Sequence, residues 1–510
     1  MKKINRVLIS VYDKTNLLDL INNLKKTNKK VQIISTGGTK KILEEHKINV
    51  TSVEEITEYP SILGGRVKTL HPKIFGGILN RSKNTIDKKE LIKYNILNID
   101  MVIVDLYPFE ETLKTTDKEE EIIEKIDIGG VSLIRAAAKN YKDILVIPGT
   151  EEFPKAIKLI NAKNGCSDLN DRLLFAQKSF YKTSQYEFAI SEYFKKKVGN
   201  NSIFPINFHT PDKSITLRYG ENPHQKGMYY GDLNDLFEQL NGKELSYNNL
   251  LDIDAAVHLI EEFSEPSFGI LKHNNACGFA SDNKIINAWK KALAGDPISA
   301  FGGVLITNGN IDLECAEEIN NLFFEILIAN SFSQEALKLL KTKKNRIILK
   351  KKNTNLENMS FRTVLNGILC QQRDHITDSD KAKTVSNLKV SESKMSDLLF
   401  ASKICKHTKS NAIVLVKNKQ LLASGCGQTS RVDALKQAIL KAKHFGFSLE
   451  NSVMASDAFF PFPDCVEIAN NEGVDAVIQP GGSKNDHLSI EYCNENDMAM
   501  IFTGYRHFKH

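Results

Sequence analysis

The sequence lacks three features that would place it in several broad classes of protein. No run approaches the roughly 20 consecutive apolar residues of a membrane-spanning helix. The eight cysteines are scattered, with no CxxC pair and no histidine partners at zinc-finger spacing, which argues against a metal site and favours free thiols. The net charge of +6 is spread over 510 residues without a basic tract. We therefore expect a soluble, cytoplasmic protein that binds neither a membrane nor nucleic acid.

The residues that are present suffice for several hydrophobic cores. Hydrophobic residues make up 41% of the chain and charged residues 25%, and 510 residues exceed what one core supports. Apolar strands alternate with amphipathic helices in the first 150 residues, which predicts a mostly parallel, doubly wound α/β sheet with ligands beyond the carboxyl ends of its strands. The predicted strands are 6–11, 31–35, 100–106 and 143–148, and the predicted helices are 15–26, 39–46 and a long one at 169–197.

Several of these strand ends carry small or cationic residues. SVYDK (10–14) ends the first strand, and STGGT (35–39) lies between the second strand and a helix. Backbone N–H groups at a helix N-terminus form a phosphate cradle, although a tight turn with a threonine cap also fits STGGT. Further along come GGRVKTLHP (64–72), DLYPF (105–109) and IDIGGVSLIRAAAKN (126–140), in which an alanine triplet precedes a lysine.

The stretch ILKHNNACG (270–278) predicts a second reactive centre. A hydrophobic run ends abruptly in Lys272, His273 and two asparagines, as when a buried strand delivers polar groups to an accessible loop. Histidine accepts and returns protons near neutral pH, and the adjacent lysine supplies positive charge. A plain strand end with solvated polar residues is the alternative, and these nine residues alone do not decide between the two.

The second half holds further motifs rich in glycine, proline and arginine. LRYGENPHQ (217–225) is a dense turn that can hold Arg218 for bidentate recognition of phosphate. DPISAFGGV (296–304) and SDAFFPFPD (456–464) look like comparable points of two related units, which predicts an internal duplication. The HxE and PCxxC signature of zinc deaminases is absent, which argues against a metal-activated water. The remaining motifs are KSNA (409–412), GCGQTSRV (425–432) and QPGGS (479–483).

From the first strand to the last residue, these motifs resemble those of one family. It is the bifunctional purine-biosynthesis family that joins phosphoribosylaminoimidazolecarboxamide (AICAR) formyltransferase to inosine monophosphate (IMP) cyclohydrolase. The resemblance implies an N-terminal cyclohydrolase domain, residues 1–197, with a doubly wound parallel sheet similar to methylglyoxal synthase. The aperiodic stretch 198–211 predicts a linker. The formyltransferase domain would follow at 212–510, as two cytidine-deaminase-like α/β subdomains that divide near 350–400.

The cyclohydrolase reaction that the resemblance implies is intramolecular. The carboxamide nitrogen of formyl-AICAR (FAICAR) attacks the formyl carbon, and water leaves as the ring closes to IMP, so positioning accounts for much of the rate. The resemblance implies that Lys68, Tyr107, Asp127 and Lys139 surround the reacting group, with Lys139 as proton donor and acceptor. Arg66 and Lys68 would provide the field that lets such a lysine titrate near neutrality. The implied substrate-binding residues are Tyr12, Asp13, Lys14, Thr36, Gly37, Gly38, Thr39, Arg66, Val67, Thr69, Val104, Asp105 and Ile128.

Two residues in this pocket depart from the commonest family pattern. Tyr12 stands where many relatives have serine, and Asp105 where many have asparagine. A carboxylate that faces an anionic ligand should weaken its binding unless Lys14 or Lys68 pairs with it.

In the second half the resemblance implies formyl transfer from 10-formyltetrahydrofolate, a co-substrate rather than a tightly bound cofactor. The 5-amino group of AICAR is poorly nucleophilic, so His273 would take its proton as it attacks the formyl carbon. Lys272 would stabilise the oxyanion or reprotonate the folate nitrogen. The nucleotide would bind Arg218, Tyr219, His273, Gly302, Glu325, Asn411 and Arg431. The folate would bind Val432, Phe459, Asp464, Ser483, Lys484 and Arg506, where AFFPFPD supplies an aromatic slot.

Two other functions compete with this interpretation. A phosphate-binding lyase or regulatory module like methylglyoxal synthase shares the expected fold of the first half but leaves the second half unexplained. An RNA-binding scaffold requires clustered Lys and Arg with exposed aromatics, which the sequence does not clearly show. The resemblance further implies a homodimer with the formyltransferase sites at the subunit interface.

Overall fold

Residues 1–198, 214–354, 356 and 358–510 are described by the computed structural model. Contacts separate the chain into two units, Met1–Ile203 and Phe204–His510. All of the predicted linker except Val198 lies outside the described residues, so the predicted domain limits stay predictions.

The first unit is an α/β sheet with helices on both sides. Its strands are β1 Lys2–Lys3, β2 Arg6–Ser10, β3 Gln32–Ser35, β4 Thr51–Ser52, β5 Met101–Val104, β6 Leu145–Ile147 and β7 Cys166–Ser167. Its helices are α1 Leu17–Thr27, α2 Gly37–Glu45, α3 Val53–Thr57, α4 Pro72–Leu79, α5 Thr85–Lys93, α6 Phe109–Thr115, α7 Glu119–Ile123, α8 Gly129–Lys139, α9 Phe153–Ala162 and α10 Leu169–Lys197. The five parallel strands lie in the order β4–β3–β2–β5–β6.

This sheet confirms the doubly wound arrangement that the sequence predicts. The four predicted strands are β2, β3, β5 and β6, and all residues of β5 and β6 are buried because helices cover both faces. The predicted helix 169–197 is α10, which begins at a capping box between Asp168 and Asp171. The strand predicted at 100–106 is shorter, since β5 ends at Val104 and Asp105 turns toward the loop after β2.

The second unit is built around a larger mixed sheet. Its strands are β8 Ser214–Leu217, β9 Gly227–Tyr230, β10 Phe237–Asn241, β11 Ser267–Lys272, β12 Asn275–Ser281, β13 Val304–Thr307, β14 Asn310–Ile311, β15 Ile326–Ala329, β16 Ser331–Phe332, β17 Ile347–Lys351, β18 Met359–Val364, β19 Gly367–Gln372, β20 Lys383–Thr384, β21 Ile413–Lys417, β22 Gln420–Gly425, β23 Ser452–Ser456, β24 Val474–Gln479 and β25 Ala499–Phe502. Its helices are α11 Tyr247–Ile260, α12 Ile285–Gly295, α13 Leu313–Asn320, α14 Gln334–Leu340, α15 Glu392–Lys406, α16 Arg431–His444, α17 Asp464–Asn471 and α18 Asp486–Glu495.

Two repeats of one topology form this sheet. The strand order is β10–β17–β15–β13–β11–β12 in the first repeat and, in mirror order, β22–β21–β23–β24–β25–β20 in the second. In each repeat a helix precedes an antiparallel hairpin, and three helix–strand pairs then add parallel strands. The repeats meet where β12 pairs with β22, Ala280 opposite Gln420.

The repeat confirms the predicted duplication but not the motifs from which it was inferred. DPISAFGGV precedes β13, whereas SDAFFPFPD follows β23, the strand equivalent to β13. Their likeness is therefore compositional, and the two motifs occupy different points of the repeat.

The hydrophobic core of the second unit has three parts. Helices α11 and α15 contribute to a single core that both repeats share, for example through Ile253 and Leu398. On the face of the sheet opposite this shared core each repeat has its own core, around Trp289 under α12–α14 and around Leu435 under α16–α18. Helices thus cover both faces of the sheet. The polar loops lie at the two ends of its strands.

Candidate active sites

The first unit has a cavity of about 710 Å³ at the carboxyl ends of β2, β3 and β5. The strand order reverses between β2 and β5, which is the switch point where doubly wound sheets bind ligands. The predicted site residues that line it are Tyr12, Lys14, Thr36, Gly38, Thr39, Arg66, Lys68, Thr69, Asp105, Tyr107, Asp127 and Ile128. Their sequence neighbours Asp13, Gly37, Val67 and Val104 are not among the lining residues.

Asp105 holds the loop that follows β2. Its carboxylate accepts the backbone N–H of Tyr12 and, at 2.7 Å, the backbone N–H of Asp13. Burial raises the pKa of Asp105, while these N–H groups and the charge of Lys14 oppose the shift. The Lys14 ammonium donates to the carbonyl of Tyr12 at 2.6 Å. The Asp105 carboxylate therefore binds backbone N–H groups of the loop. It does not pair with Lys14 or Lys68, the partners expected to offset its charge beside an anionic ligand.

The first turn of α2 is open toward the cavity. The helix begins at Gly37, where an added Cβ would meet no atom within 4 Å, as at Gly38. Thr36, the N-cap residue, makes no side-chain capping hydrogen bond. The buried hydroxyl of Thr39 donates to the carbonyl of Val11 at 3.1 Å and ties the helix to the end of β2. The backbone N–H groups of this turn are thus available to an anion, which favours the phosphate cradle over the capped turn.

Asp127 and Tyr107 bring two titratable groups to the cavity. Oδ1 of Asp127 accepts the backbone N–H of Gly130 at 2.6 Å, and a Cβ on Gly130 would lie 2.5 Å from Oδ2, so a side chain there would displace the carboxylate. Burial raises the pKa of Asp127, with Gly130 and Lys68 opposing. Burial and the charges of Asp127 and Asp105 raise the pKa of Tyr107 above its usual 10. At neutral pH Tyr107 is therefore a proton donor.

Three lining residues lie outside the sequence motifs, and two of them are charged: Ile123, Glu124 and Lys125. Glu124 forms an ion pair with Arg66. The ammonium of Lys125 lies 5.1 Å from the ring centroid of Tyr12 and 5.6 Å from that of Tyr107, and the two rings meet edge to face at 5.5 Å. Both residues belong to a charged run, 118–125, that is typical of a solvated surface and contains no motif.

The structure does not bring Lys139 to this cavity. Helix α8 starts at the cavity with Gly129 and Gly130, and Lys139 is its last residue. A helix rises about 1.5 Å per residue, so the two ends of α8 are about 15 Å apart. The side chain of Lys139 is exposed, and neighbouring Asn140 donates to the carbonyls of Ile78 and Asn80, both at 2.8 Å, at the far end of α4. The predicted field of Arg66 and Lys68 thus acts at the opposite end of the helix.

In the second unit His273 lies in a loop at one end of the strands of the large sheet. It forms a two-residue turn between β11 and β12 with Asn274, and both residues have positive φ, 52° and 65°. This is the turn geometry that matches the twist of a hairpin. The Lys272 ammonium donates to the carbonyl of Phe301 at 2.7 Å, which holds it beside the exposed histidine.

A group of polar side chains from neighbouring elements supports this turn. Asp252 of α11 accepts the backbone N–H of Asn274 at 2.6 Å. Burial and the charge of Glu325 raise the pKa of Asp252, whereas His273 opposes the shift. Glu325 precedes β15 and accepts a hydrogen bond from the side chain of Asn249 at 2.9 Å.

Four of the predicted nucleotide-binding residues lie at the same end of the strands, and we call this row of strand ends and loops the His273 edge: Gly302, Glu325, Asn411 and Arg431. Gly302, φ 73°, donates to the carbonyl of Phe323 at 2.8 Å and precedes β13 beside Glu325. Asn411 precedes β21 and binds the carbonyl of Gln428 through its side chain at 3.0 Å. The edge is continuous because the amino ends of β13 and β15 and the carboxyl ends of β22 and β23 face the same way.

Arg431 is a largely buried cation of the His273 edge. It starts α16, and its guanidinium donates to Ser456 at 3.0 Å and to Asp457 at 2.9 Å, both at the end of β23. Its side chain is 12% exposed and that of Asp457 is fully buried. Backbone N–H of Lys409 donates to Asn275 beside the histidine turn at 3.2 Å, which joins the two repeats at this edge.

The residues expected to bind folate follow the last three strands of the sheet. Phe459 is 38% exposed after β23, whereas the adjacent Phe460 is buried. Asn485, beside Ser483 and Lys484, donates to the carbonyl of Pro461 at 3.0 Å and thereby joins the loops after β23 and β24. Val432 follows Arg431, Asp464 starts α17, and the Arg506 guanidinium stacks on Phe508 at 4.4 Å after β25.

Arg218 and Tyr219 belong to a separate ribbon, β8–β9, and follow its first strand. The Arg218 guanidinium lies 5.7 Å from the Tyr219 ring centroid. Asn248 at the start of α11 donates to the carbonyl of Glu221 at 3.1 Å, which fastens the ribbon near the helix that carries Asp252.

Neither site has the donor set of a metal centre. Among the residues that the structure describes, no group of three or more His, Cys, Asp or Glu is placed to hold a metal ion. All eight cysteines are free thiols. In the described part of the chain, no helix combines the length and apolarity needed to cross a bilayer.

The fold and the two sites define an α/β enzyme with a doubly wound domain followed by a duplicated mixed-sheet domain. Residues 16–132 match the MGS-like domain, and residues 137–441 match the AICARFT/IMPCHase bienzyme family. The chain belongs to the AICARFT/IMPCHase bienzyme family. It is therefore a bifunctional enzyme of purine biosynthesis, a formyltransferase joined to a cyclohydrolase. The competing lyase is not supported, since it has no counterpart for the second unit.

Relatives of similar length share this sequence from end to end. The bifunctional purine biosynthesis protein PurH of Bacteroides thetaiotaomicron is 54% identical over 510 residues, which cover 100% of this chain and 99% of that protein. The proteins of the same name from Persephonella marina and Aquifex aeolicus are each 44% identical over 516 residues; both alignments cover 99% of this chain, with 99% and 100% of those proteins. A solved structure titled "Crystal structure of ForH" matches 38% of this chain and 99% of that chain at 28% identity, with a TM-score of 0.33.

Proposed function

We propose that the second unit transfers a formyl group from 10-formyltetrahydrofolate to AICAR at the His273 edge, and that the first unit closes FAICAR to IMP in its cavity. The observation that carries the proposal is the grouping of the reactive residues into two sites, one in each unit. The two reactions share an intermediate, so one chain takes AICAR to IMP.

The cavity of the first unit suits a ring closure in which the substrate brings both reactants. The open turn of α2 would bind the phosphate, so that the carboxamide nitrogen and the formyl carbon lie near Tyr107 and Asp127. As the new C–N bond forms, Tyr107 would donate a hydrogen bond to the developing oxyanion, and Asp127 would take the proton that the attacking nitrogen loses and pass it to that oxygen. The formamide nitrogen then loses its proton as the C–O bond breaks, this second proton completes the departing water, and Lys68 would stabilise the charge.

Formyl transfer at the His273 edge requires a general base that takes the amine proton of AICAR. The amine of AICAR attacks the formyl carbon, His273 would take the amine proton, and the C–N bond to the folate breaks. Lys272, held by the Phe301 carbonyl at 2.7 Å, would stabilise the oxyanion or return a proton to the folate nitrogen. Asp252 fixes the backbone of the turn, which supports a positioned histidine rather than a solvated one.

Binding of the two ligands would divide along this edge. Arg431 and Asn411 suit the dianionic nucleotide, with Arg218, Tyr219, Gly302 and Glu325 completing its site. Phe459 supplies an exposed aromatic face for the pterin, with Asp464, Ser483, Lys484, Arg506 and Val432 around it. The proposal leaves Lys139 out of the cyclohydrolase cavity because it lies at the other end of α8.

The test is a pair of ultraviolet-monitored assays with the purified chain. AICAR with 10-formyltetrahydrofolate should give IMP, and FAICAR supplied alone should give IMP without folate. Absence of folate-dependent product from AICAR would reject the first assignment, and failure to close supplied FAICAR would reject the second. Light scattering during size-exclusion chromatography tests the homodimer that we carry over from the family as part of the proposal; a monomer would reject it.

A further inference from the structure

The duplication in the second unit gives the His273 turn a structural counterpart. In the second repeat the equivalent hairpin, β21–β22, turns at Asn418 and Lys419, which have φ of 52° and 53°. Both hairpins have a register shift at the same place, between Ile270 and Leu271 and between Leu415 and Val416. The counterpart lies at the opposite edge of the sheet, because β12 and β22 pair antiparallel.

The lysine before each turn is held in the same way. Lys272 donates to the carbonyl of Phe301 at 2.7 Å, and Lys417 donates to the carbonyl of Glu450 at 2.6 Å. The acceptor in each case precedes a residue of positive φ, Gly302 at 73° and Asn451 at 60°. These residues donate in turn to the carbonyls of Phe323 and Gly473, at 2.8 and 2.9 Å.

An aspartate anchors each turn from the sixth position of the helix beneath it. Asp252 of α11 accepts the N–H of Asn274 at 2.6 Å. Asp397 of α15 accepts the N–H groups of both Asn418 and Lys419 at 2.8 Å. The two corners therefore share one backbone scaffold, which we call the His273 corner and the Lys417 corner.

The side chains at the Lys417 corner carry more positive charge than those at the His273 corner. Asn418 stands in place of the histidine, so the corner has no group that exchanges protons near neutral pH. Lys419 stands in place of Asn274, and Lys394 in place of Asn249, the third residue of its helix. Proton-transfer capacity has been replaced by positive charge.

These side chains line a cavity of about 520 Å³. It contains four lysines, two aspartates and neutral hydrogen-bond donors: Ser281, Asp282, Asn283, Lys291, Ser393, Lys394, Ser396, Asp397, Lys417, Asn418, Lys419 and Asn451. Its volume lies within the range of about 300–1,000 Å³ that small-molecule sites occupy.

The charges within the cavity leave one cation without a carboxylate. Lys291 pairs with Asp282 at 2.8 Å, Lys394 with Asp475, and Lys419 with Glu265 at 3.2 Å. The ammonium of Lys417 donates to a backbone carbonyl and, among the described residues, has no carboxylate within 4 Å. Both carboxylate oxygens of Asp397 are engaged by the two backbone N–H groups of the turn.

We propose that the Lys417 corner is a non-catalytic binding site for a phosphate dianion, either inorganic phosphate or the phosphate of a nucleoside monophosphate. Lys417 and Lys419 would bind the phosphate oxygens, and Ser393 and Ser396 at the start of α15 would add hydroxyl donors. The assignment rests on the geometry and charge of this corner and does not depend on catalysis at the His273 edge.

Equilibrium dialysis of the full-length protein against radiolabelled inorganic phosphate tests the site. The double variant Lys417→Gln/Lys419→Gln should bind one equivalent of phosphate per chain fewer than the unmodified protein. The control Lys338→Gln/Lys341→Gln removes the same charge from exposed positions on and after α14 and should bind as the unmodified protein does. Equal binding by both double variants would overturn the proposal. Formyl transfer should be unchanged in both variants.

A second measurement needs no substitution and so does not depend on folding of a variant. Acetylation of lysines in the unmodified protein, mapped by mass spectrometry, should show phosphate protecting Lys417 and Lys419 but not Lys338. Addition of AMP distinguishes the two sources, since it displaces the protecting phosphate only if the corner accepts a nucleoside monophosphate. Equal labelling of Lys417 with and without phosphate would contradict the site.

Discussion

The two active sites differ in how the chain encloses them. The proposed cyclohydrolase site is a cavity of about 710 Å³ at the switch point of a five-stranded parallel sheet, lined by strand ends, helix starts and the loops between them. The proposed formyltransferase site is a line of side chains at one end of the strands of a mixed sheet, from Glu325 through His273 to Arg431 and Phe459.

The difference follows from the two reactions. Ring closure needs one substrate held in a bent conformation, for which a walled cavity with a phosphate cradle suffices. Formyl transfer must bring two substrates together and move a proton between them, so its site has to offer two adjoining surfaces and a base. The comparison predicts that the two reactions can be removed independently.

The largest expected effect comes from His273→Asn. Asparagine tolerates the positive φ of the turn and reproduces Asn418 of the other repeat, so the backbone should be preserved. Loss of a general base costs about 10²–10⁴-fold, and we expect formyl transfer to fall by about a thousandfold. Closure of supplied FAICAR should stay within twofold. Loss of both activities would break the two-site comparison.

The second prediction concerns the stability of the second unit and rests on His507. The two ring nitrogens of His507 form hydrogen bonds with the carboxylates of Asp374 and Asp378, at 2.6 and 3.0 Å. Burial alone would lower the pKa of His507, but these carboxylates raise it to about 9. A raised pKa stabilises the fold below the unfolded value of about 6.5, and this contribution is lost as pH rises through 9. We expect the free energy of unfolding to fall by about 3 kcal/mol across that window.

Urea denaturation followed by tryptophan fluorescence measures this change in the second unit, because Trp289 is the one tryptophan of the sequence and is buried there. His507→Gln should flatten the dependence between pH 6.5 and 9. A free energy of unfolding that is constant or rises over this range in the unmodified protein would contradict the prediction.

The third prediction is the reciprocal of the first. Lys68→Met keeps most of the side-chain length but removes the charge beside Asp127, and we expect ring closure to slow by about a hundredfold. Formyl transfer should be unaffected when its product is measured directly. Lys73→Met removes a lysine that pairs with Glu58 at 3.1 Å outside the cavity lining and serves as the control. An equal loss in both variants would assign the effect to net charge.

The sequence predicted the elements of the first unit well because alternating strands and helices leave a strong periodic pattern, as in β2, β5 and α10. The twelve-stranded sheet was beyond reach, since its two halves meet through one register pair, Ala280 and Gln420. Motif likeness even misled, because DPISAFGGV and SDAFFPFPD lie at different points of the repeat. The true correspondence, Lys272 with Lys417, lies in backbone geometry that no residue pattern records.

Site residues divide in the same way. Those within dense motifs, such as Lys68, Asp127 and Arg431, were found from sequence and line the cavity or the edge. Glu124 and Lys125 were missed because a charged run has no distinctive spacing. The contacts of Asp105 could not be predicted because its partners are backbone N–H groups, which nearly every residue carries, and its effect on ligand binding stays a prediction.

The fourth prediction tests that effect. Asp105→Asn leaves one carbonyl oxygen for two backbone donors and turns an N–H₂ group toward the second, so the loop at Tyr12 and Asp13 should loosen. We expect nucleotide binding to the cavity to weaken by about tenfold, as one lost hydrogen bond implies. Titration calorimetry with IMP measures it. Tighter binding would restore the view that the carboxylate repels the ligand.

The smallest expected effect is that of replacing Lys139. It tests whether Lys139 acts where the structure places it or has the catalytic role that the family resemblance implies. A lysine about 15 Å from the start of α8 does not reach a group bound there, and its side chain is exposed to solvent. We expect Lys139→Ala to change kcat for ring closure by less than about threefold, since a solvated surface charge contributes within about 0.5 kcal/mol. A hundredfold loss, with the unfolding midpoint unchanged, would show that Lys139 acts in the cavity and that α8 or its surroundings rearrange during the reaction.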